Sequence, residues 1–242
     1  DYTLARPVSM GRLPNHMTFV EGAPAQQVPI AVNATRNVKA GDYVVILGQG
    51  SAGLLLTQMC RVRGAAKIVT GDLYDNRCQL SCQLGADVAV NVTRDSIDGA
   101  VKDTFGGRAP DVTIDAVGIP SVVRKCVDLV RTEGLVVIFG THHVEEEVSF
   151  NLVQWESKAI TIHMSNEGSD ETRGWAMRLA ERLLEEKKVQ TKPYITHVFP
   201  LKRLPEAVAL LANSPLLYTE AEAGQITFPP KEAIKVVIDM EK

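Results

Sequence analysis

Gly48, Gly50 and Gly53 fall within Gly48-Gln49-Gly50-Ser51-Ala52-Gly53, directly after the apolar run Tyr43-Val44-Val45-Ile46-Leu47. Glycines at that spacing, between a strand and a helix, build a loop that grips a diphosphate. Gly48 permits the tight turn, Gly50 lets the backbone approach phosphate without a Cβ, and Gly53 lets the helix pack closely on the sheet. The free N–H groups and positive dipole end of that helix then face the anion. Alone the pattern is weak, and a tight turn without ligand is the competing reading; strand before and helix after are what strengthen it.

Asp72 follows Gly53 by nineteen positions, just past Lys67-Ile68-Val69-Thr70. A carboxylate there accepts hydrogen bonds from adenosine ribose hydroxyls and repels a 2′-phosphate, so NAD is expected rather than NADP. Arg77, five residues on, is placed either over the adenine or ribose or as a solvated helix residue. For Asp72 the bland alternative is a turn former after Gly71.

Such a loop works only if strands and helices hold it, and the flanking sequence alternates accordingly. From Gly41 onward, short β-branched runs alternate with amphipathic stretches of helix length, the mark of βαβ units and a parallel sheet. Residues 43–47 are apolar throughout, as a strand buried on both faces must be. Helices are expected at 51–63, 76–84, about 95–105 and 120–131, and strands at 67–70, 88–91, 111–115 and 135–139. Further on, a strand is expected over 157–164, a long helix over 171–188, a strand at 194–199, a helix at 204–213 and a last strand at 234–238. Residues 214–230 have no period and read as a surface loop.

The 242 residues are 45% apolar and 23% charged, with net charge −3. That suits a soluble chain with a core and supplies no basic field for nucleic acid. No apolar run approaches the roughly 20 residues that span a bilayer. Residues 1–10 lack the charged-then-apolar order of a signal peptide. Four cysteines make no disulfide framework in this length, and a cytoplasmic setting is expected.

Other side chains invite chemistry less strongly. Cys78 and Cys82 share a helix face at metal-compatible spacing, but without further ligands they read as packing residues. His142 and His143 follow the fifth strand, where a proton relay is conceivable and a polar loop is the simpler account. His163 and His197 read as structural, Glu145-Glu146-Glu147 as a solvated loop, and Glu21 as a helix cap.

The motifs together resemble the coenzyme domain of the medium-chain dehydrogenase/reductase family, in its zinc-type alcohol, polyol and threonine dehydrogenase branch. The resemblance rests on Val38-Lys39-Ala40-Gly41-Asp42 before the first strand, the glycine loop, Leu84-Gly85-Ala86-Asp87, Asp115-Ala116-Val117-Gly118 and Gly134 to Gly140. Thr196 to Leu201 and Ile234-Lys235-Val236-Val237 resemble the family's closing segments. It implies an α/β, doubly wound parallel sheet (a Rossmann fold) with NAD across the carboxyl ends of its strands. By similarity Ala116, Val117, Phe139, Gly140 and Thr141 line the nicotinamide site, Ala52 lies behind the ring and Lys235 reaches the pyrophosphate. With these stand the loop residues Gly48, Gln49, Gly50, Ser51 and Gly53.

By the same resemblance, residues 1–30 are a remnant of a catalytic domain with its linker, 31–188 the NAD-binding domain, and 189–242 a return toward the catalytic domain. The stretch Ala25-Gln26-Gln27-Val28-Pro29-Ile30 lacks the Cys or Glu that zinc enzymes place before the first strand, so no metal site is expected. The function implied is hydride transfer between nicotinamide and an alcohol or polyol carbon, with this chain incomplete as an enzyme. A non-catalytic NAD-binding or regulatory module, and a zinc-free reductase of the quinone reductase type, are the alternatives. Relatives dimerise through the strand corresponding to 157–164, which implies a homodimer; no nucleic acid or membrane partner is expected.

Overall fold

The computed structural model describes residues 10–141, 151–165, 168–212 and 233–240. Tyr43–Leu47 (β1) forms the central strand because helices cover both of its faces. Val44 and Ile46 enter one core, Val45 and Leu47 the other. β1 pairs in parallel with Lys67–Asp72 (β2) on one side and Val112–Asp115 (β4) on the other. Val88–Asn91 (β3) extends the sheet beyond β2, and Leu135–Ile138 (β5) and Thr161–Met164 (β6) extend it beyond β4. The order β3-β2-β1-β4-β5-β6 makes the expected doubly wound sheet, with its switch point between β1 and β4.

One core lies under Val28–Ala34 (α2), Ser51–Val62 (α3) and Asp170–Glu185 (α8), through residues such as Val32, Leu55, Met59, Ala180 and Leu183. The other lies under Ile97–Thr104 (α5) and Pro120–Leu129 (α6), through Ile97, Val101, Val123 and Val127. Asp75–Gln83 (α4) packs on β2 and β3. The short helix Phe19–Gly22 (α1) starts with a capping box: Thr18 Oγ1 accepts from Glu21 N–H at 3.2 Å, and Glu21 Oε2 from Thr18 N–H at 2.9 Å. Glu21 is thus the expected cap. α2 crosses the boundary expected near residue 30 and buries Val28, Ala31 and Val32 in the first core.

The strand expected over 157–164 is shorter. Asn151 caps a helix, Leu152–Lys158 (α7), that takes Ser157 and Lys158. The helix continues to Lys158 because its ammonium donates to the carbonyls of Val127, Asp128 and Val130, at 2.8, 2.7 and 2.9 Å, and so caps the end of α6. Ala159 then turns left-handed, with φ 48°, and β6 begins at Thr161.

Ile195–Pro200 (β7) and Lys235–Asp239 (β8) form a separate parallel pair, against which Leu204–Ala212 (α9) packs. Long-range hydrogen bonds tie the later chain to the first core. Gln58 exchanges two bonds with the backbone of Gln190, at 3.0 and 2.8 Å, and Thr191 Oγ1 donates to Glu21 O at 2.6 Å. The 214–230 loop lies outside the described residues. No helix among the described residues is long and apolar enough to cross a membrane.

Candidate functional site

The glycine loop leaves β1 at the switch point and enters α3. Gly50 is the N-cap, and no side chain caps that end of the helix. The first turn of α3 holds no carboxylate, whereas α5 and α8 both start with a serine cap and acidic residues. Among the described residues, the N–H groups of Ser51, Ala52 and Gly53 therefore meet no acceptor of the usual capping kind. A Cβ built on Gly50 would meet nothing within 4 Å among the described residues, so the loop leaves room there. At Gly53 the reverse holds: a Cβ would stand 1.9 Å from the carbonyl oxygen of Gly48. Gly53 is thus demanded by the close packing of the helix, whereas nothing in the packing demands a glycine at position 50.

The loops after β4 and β5 close in beside it. A Cβ on Gly48 would lie 2.7 Å from Val117 Cγ2 and 3.2 Å from Ala116 O, and one on Gly140 2.0 Å from Gly118 N. Asp115, wholly buried at the end of β4, accepts from Val117 and Gly118 N–H at 2.9 and 3.0 Å and so shapes that loop. Phe139 N–H and Gly140 N–H both donate to the Asp115 carbonyl. Gly48, Ala116, Val117, Gly140 and Thr141 thus lie together at the carboxyl ends of β1, β4 and β5. Asp115 was missed as a site organiser, although an Asp two residues before the turn Val117-Gly118 is a turn signal in its own right.

Asp72 ends β2 with only 7% of its surface exposed. Its Oδ2 accepts from Gln49 N–H at 2.6 Å and its Oδ1 from Tyr74 N–H at 3.1 Å, which places the carboxylate against the loop. Arg77 is buried too, at 6% exposure. Its guanidinium lies over the Tyr74 ring, 4.9 Å from the centroid, with Nη1 4.0 Å from Asp72 Oδ2 and Nη2 donating to Ala233 O at 2.8 Å. The solvated alternative for Arg77 is excluded. Ala233 leads into β8, which carries Lys235, whose ammonium is half-buried and held below the usual lysine pKa by that burial. Gln49 turns its side chain inward rather than toward a ligand.

The remaining candidates do less. Burial pushes the Cys78 thiol up to about 11, and Cys82 is also raised by burial; among the described residues no three metal-ligating side chains gather. His142, His143 and Glu145–Glu147 lie outside the described residues. His197 Nδ1 sits 3.0 Å from Thr196 Oγ1 and its ring stacks near Phe199. His163 has its Nε2 buried without a partner among the described residues, and burial, then the Arg36 charge, lowers its pKa. The fold therefore favours neutral imidazole, and below about pH 6.5 the unfolded chain binds more protons. The histidine's contribution to stability is expected to be complete above that pH and to be lost progressively as the pH falls below it. Melting temperatures across this range check it: His163→Asn should flatten the fall, and an unchanged slope would discount the histidine.

A family model described as zinc-binding dehydrogenase matches residues 52–182. A sorbitol dehydrogenase of Bombyx mori is 31% identical over 204 residues, covering 82% of this chain and 57% of the relative. A protein of Sinorhizobium meliloti 1021, described as a zinc-binding dehydrogenase and solved with NADP, superposes at TM-score 0.75 with 22% identity, over 93% of this chain and 61% of its own. An alcohol dehydrogenase from E. coli CFT073 complexed with NADH gives 0.76 and 20%, over 95% and 62%. The chain spans just over half the length of the curated relatives it matches. The glycine loop, its six-stranded frame and the matched residues agree, and the chain belongs to the zinc-binding dehydrogenase family, within the medium-chain dehydrogenases/reductases.

Proposed function

We propose that this chain binds a nicotinamide dinucleotide, NAD(H) in preference to NADP(H), as the coenzyme part of a dehydrogenase acting on an alcohol or polyol. One observation carries the reading: the uncapped start of α3 opens at the sheet's switch point with the Asp72 carboxylate beside it. The N–H groups of residues 51–53 would hold the diphosphate, and the half-buried Lys235 would add charge. Asp72 would accept from a ribose hydroxyl and disfavour a 2′-phosphate, with Arg77 at its flank. The loops at 116–118 and 139–141 would border the nicotinamide. When bound, that ring supplies a hydride acceptor or donor; the chain's own residues bind and orient it. Among the described residues no three His, Cys, Asp or Glu side chains gather to hold a metal ion. The sorbitol dehydrogenase relative supports a polyol as the substrate class.

Nicotinamide fluorescence tests the coenzyme preference. The unaltered chain is expected to bind NADH more tightly than NADPH. Asp72→Ser should weaken NADH by about tenfold, as for a lost charge-assisted hydrogen bond, and narrow the gap. Equal affinities in the unaltered chain would remove the preference.

The assembly we propose is a homodimer through the side of β6 that no strand among the described residues pairs with, in a setting expected to be the cytoplasm. β6 is the outermost strand beyond β5, and Met164 on it is 61% exposed, with Leu152 and Val153 of α7 exposed as well. Thr161 and Ser165 N–H donate inward to Gly134 and Ile138 carbonyls. By alternation the N–H groups of Ile162 and Met164 face outward, where a two-fold partner strand can pair. Met164→Pro removes an outward donor and spares the inner ladder. Sedimentation should show a dimer become a monomer with NADH binding kept; an unaltered chain that sediments as monomer refutes the interface.

A further inference from the structure

Gln49 sits between two glycines of an open loop, yet its side chain is wholly buried. Its Nε2 donates to the Gly48 carbonyl at 2.8 Å, and its Oε1 lies 3.0 Å from the Thr57 hydroxyl, whose one proton is shared between that oxygen and the Gly53 carbonyl at 2.9 Å. The Gly48 carbonyl can only accept, so it must face the amide nitrogen, which leaves the amide oxygen for Thr57. The same peptide unit is held at its other end, where Gln49 N–H donates to Asp72 Oδ2 at 2.6 Å. The C=O and N–H of a trans peptide point opposite ways, so these two bonds fix the plane.

We propose that Gln49 is a positioning residue for the diphosphate: with Thr57 behind it, its carboxamide keeps the Gly48 carbonyl turned inward and the mouth of α3 clear. This deepens the coenzyme reading and rests on it. Gly48, at φ +95°, offers no side chain to resist rotation of that peptide. Rotation would carry the carbonyl oxygen toward the Asp72 carboxylate, acceptor against acceptor, and disturb the N–H array that an anion needs. The carboxamide removes that freedom. Because Asp72 holds the far end, the phosphate-facing loop and the ribose-facing carboxylate share one peptide unit. Were Gln49 merely filling space, an apolar side chain of equal length would serve as well.

The full chain can be titrated with NADH, with ADP-ribose and adenosine as competitors; ADP-ribose carries the diphosphate and adenosine does not. Gln49→Met and Thr57→Val should each weaken NADH and ADP-ribose by about tenfold, the loss of one well-placed hydrogen bond. Adenosine should stay within about twofold, and the double variant should lose little more than either single one, as coupled partners do. Thr57→Ser keeps the hydroxyl and should bind like the unaltered chain. Unchanged NADH affinity in Gln49→Met and Thr57→Val overturns the proposal. So does an equal loss for adenosine, or a Thr57→Ser as weak as Thr57→Val. An unaltered chain that binds none of the three ligands removes the coenzyme reading, and the proposal with it; binding by that chain beside unchanged variants removes the proposal alone.

Discussion

Gly53→Ala is expected to destabilise the chain by about 3 kcal/mol, the upper range for forcing an atom into packed backbone. The added Cβ would meet Gly48 O at 1.9 Å and Gly48 C at 2.8 Å. Neither is the end of a flexible side chain, so relief requires the loop or α3 to move. For a chain of this size such a loss lowers the melting temperature by roughly 6–12 °C. Moving the loop also moves the Gly48 carbonyl that Gln49 holds, and NADH affinity should fall with it. Gly50→Ala is the informative contrast. Its Cβ meets nothing within 4 Å, so melting should change by no more than about 1 kcal/mol, the difference between glycine and alanine at an N-cap. Its effect belongs to ligand binding. Thermal melting with NADH titration separates the two, and a Gly53→Ala chain that melts like the unaltered one would contradict the packing argument.

Lys158→Met is expected to cost about 2 kcal/mol, because a charged donor that satisfies three carbonyls leaves them without it. The cost is held to that figure because the group is only partly buried and water replaces some of what is lost. Its three acceptors belong to the last turn and exit of α6, and Lys158 O accepts from Glu133 N–H at 2.7 Å, so the residue joins α7, α6 and the approach to β5. Loss should show as a melting temperature lower by roughly 4–8 °C, with NADH affinity little changed. Lys158→Arg should recover only part, since a planar guanidinium cannot fan its donors as an ammonium does. A Lys158→Met chain that melts within about a degree of the original would dismiss the cap as a surface contact.

The strands from β1 to β5 were legible because each is a short apolar run ended by glycine, proline or a polar turn. The glycine loop was legible for the same local reason. β6 was read too long because Lys158 obeys a contact with α6, about thirty residues earlier, that no local pattern records. Arg77 was readable as a residue near Asp72, but its bond to Ala233 is set by a segment far along the chain. Gln49 was placed in the site by position, while the direction of its side chain depends on Thr57, a helix residue that sequence alone would count as core. Tertiary partners decide where a side chain turns. Local pattern decides only which element carries it.

The covering of the sheet's first face has a temporal side. α2 stands near the start of the chain and α8 begins at Asp170, yet the two pack together over β1, so that core closes only when residues near 184 exist. The opposite face takes its buried residues from α5, α6 and strands no later than β5, the last being Ile138, with Trp155, Ile160 and Ile162 packing against it afterwards, so its centre can form before α8 exists. During synthesis, which adds about 5–20 residues per second, α2 and the outer side of α3 must wait for several seconds with apolar surface uncovered. Contacts of long sequence separation also form slowly once the chain is whole. The half-made molecule is thus most vulnerable to aggregation on the α2–α3 side, and a ribosome-bound chain stopped before α8 should be the species that chaperones hold.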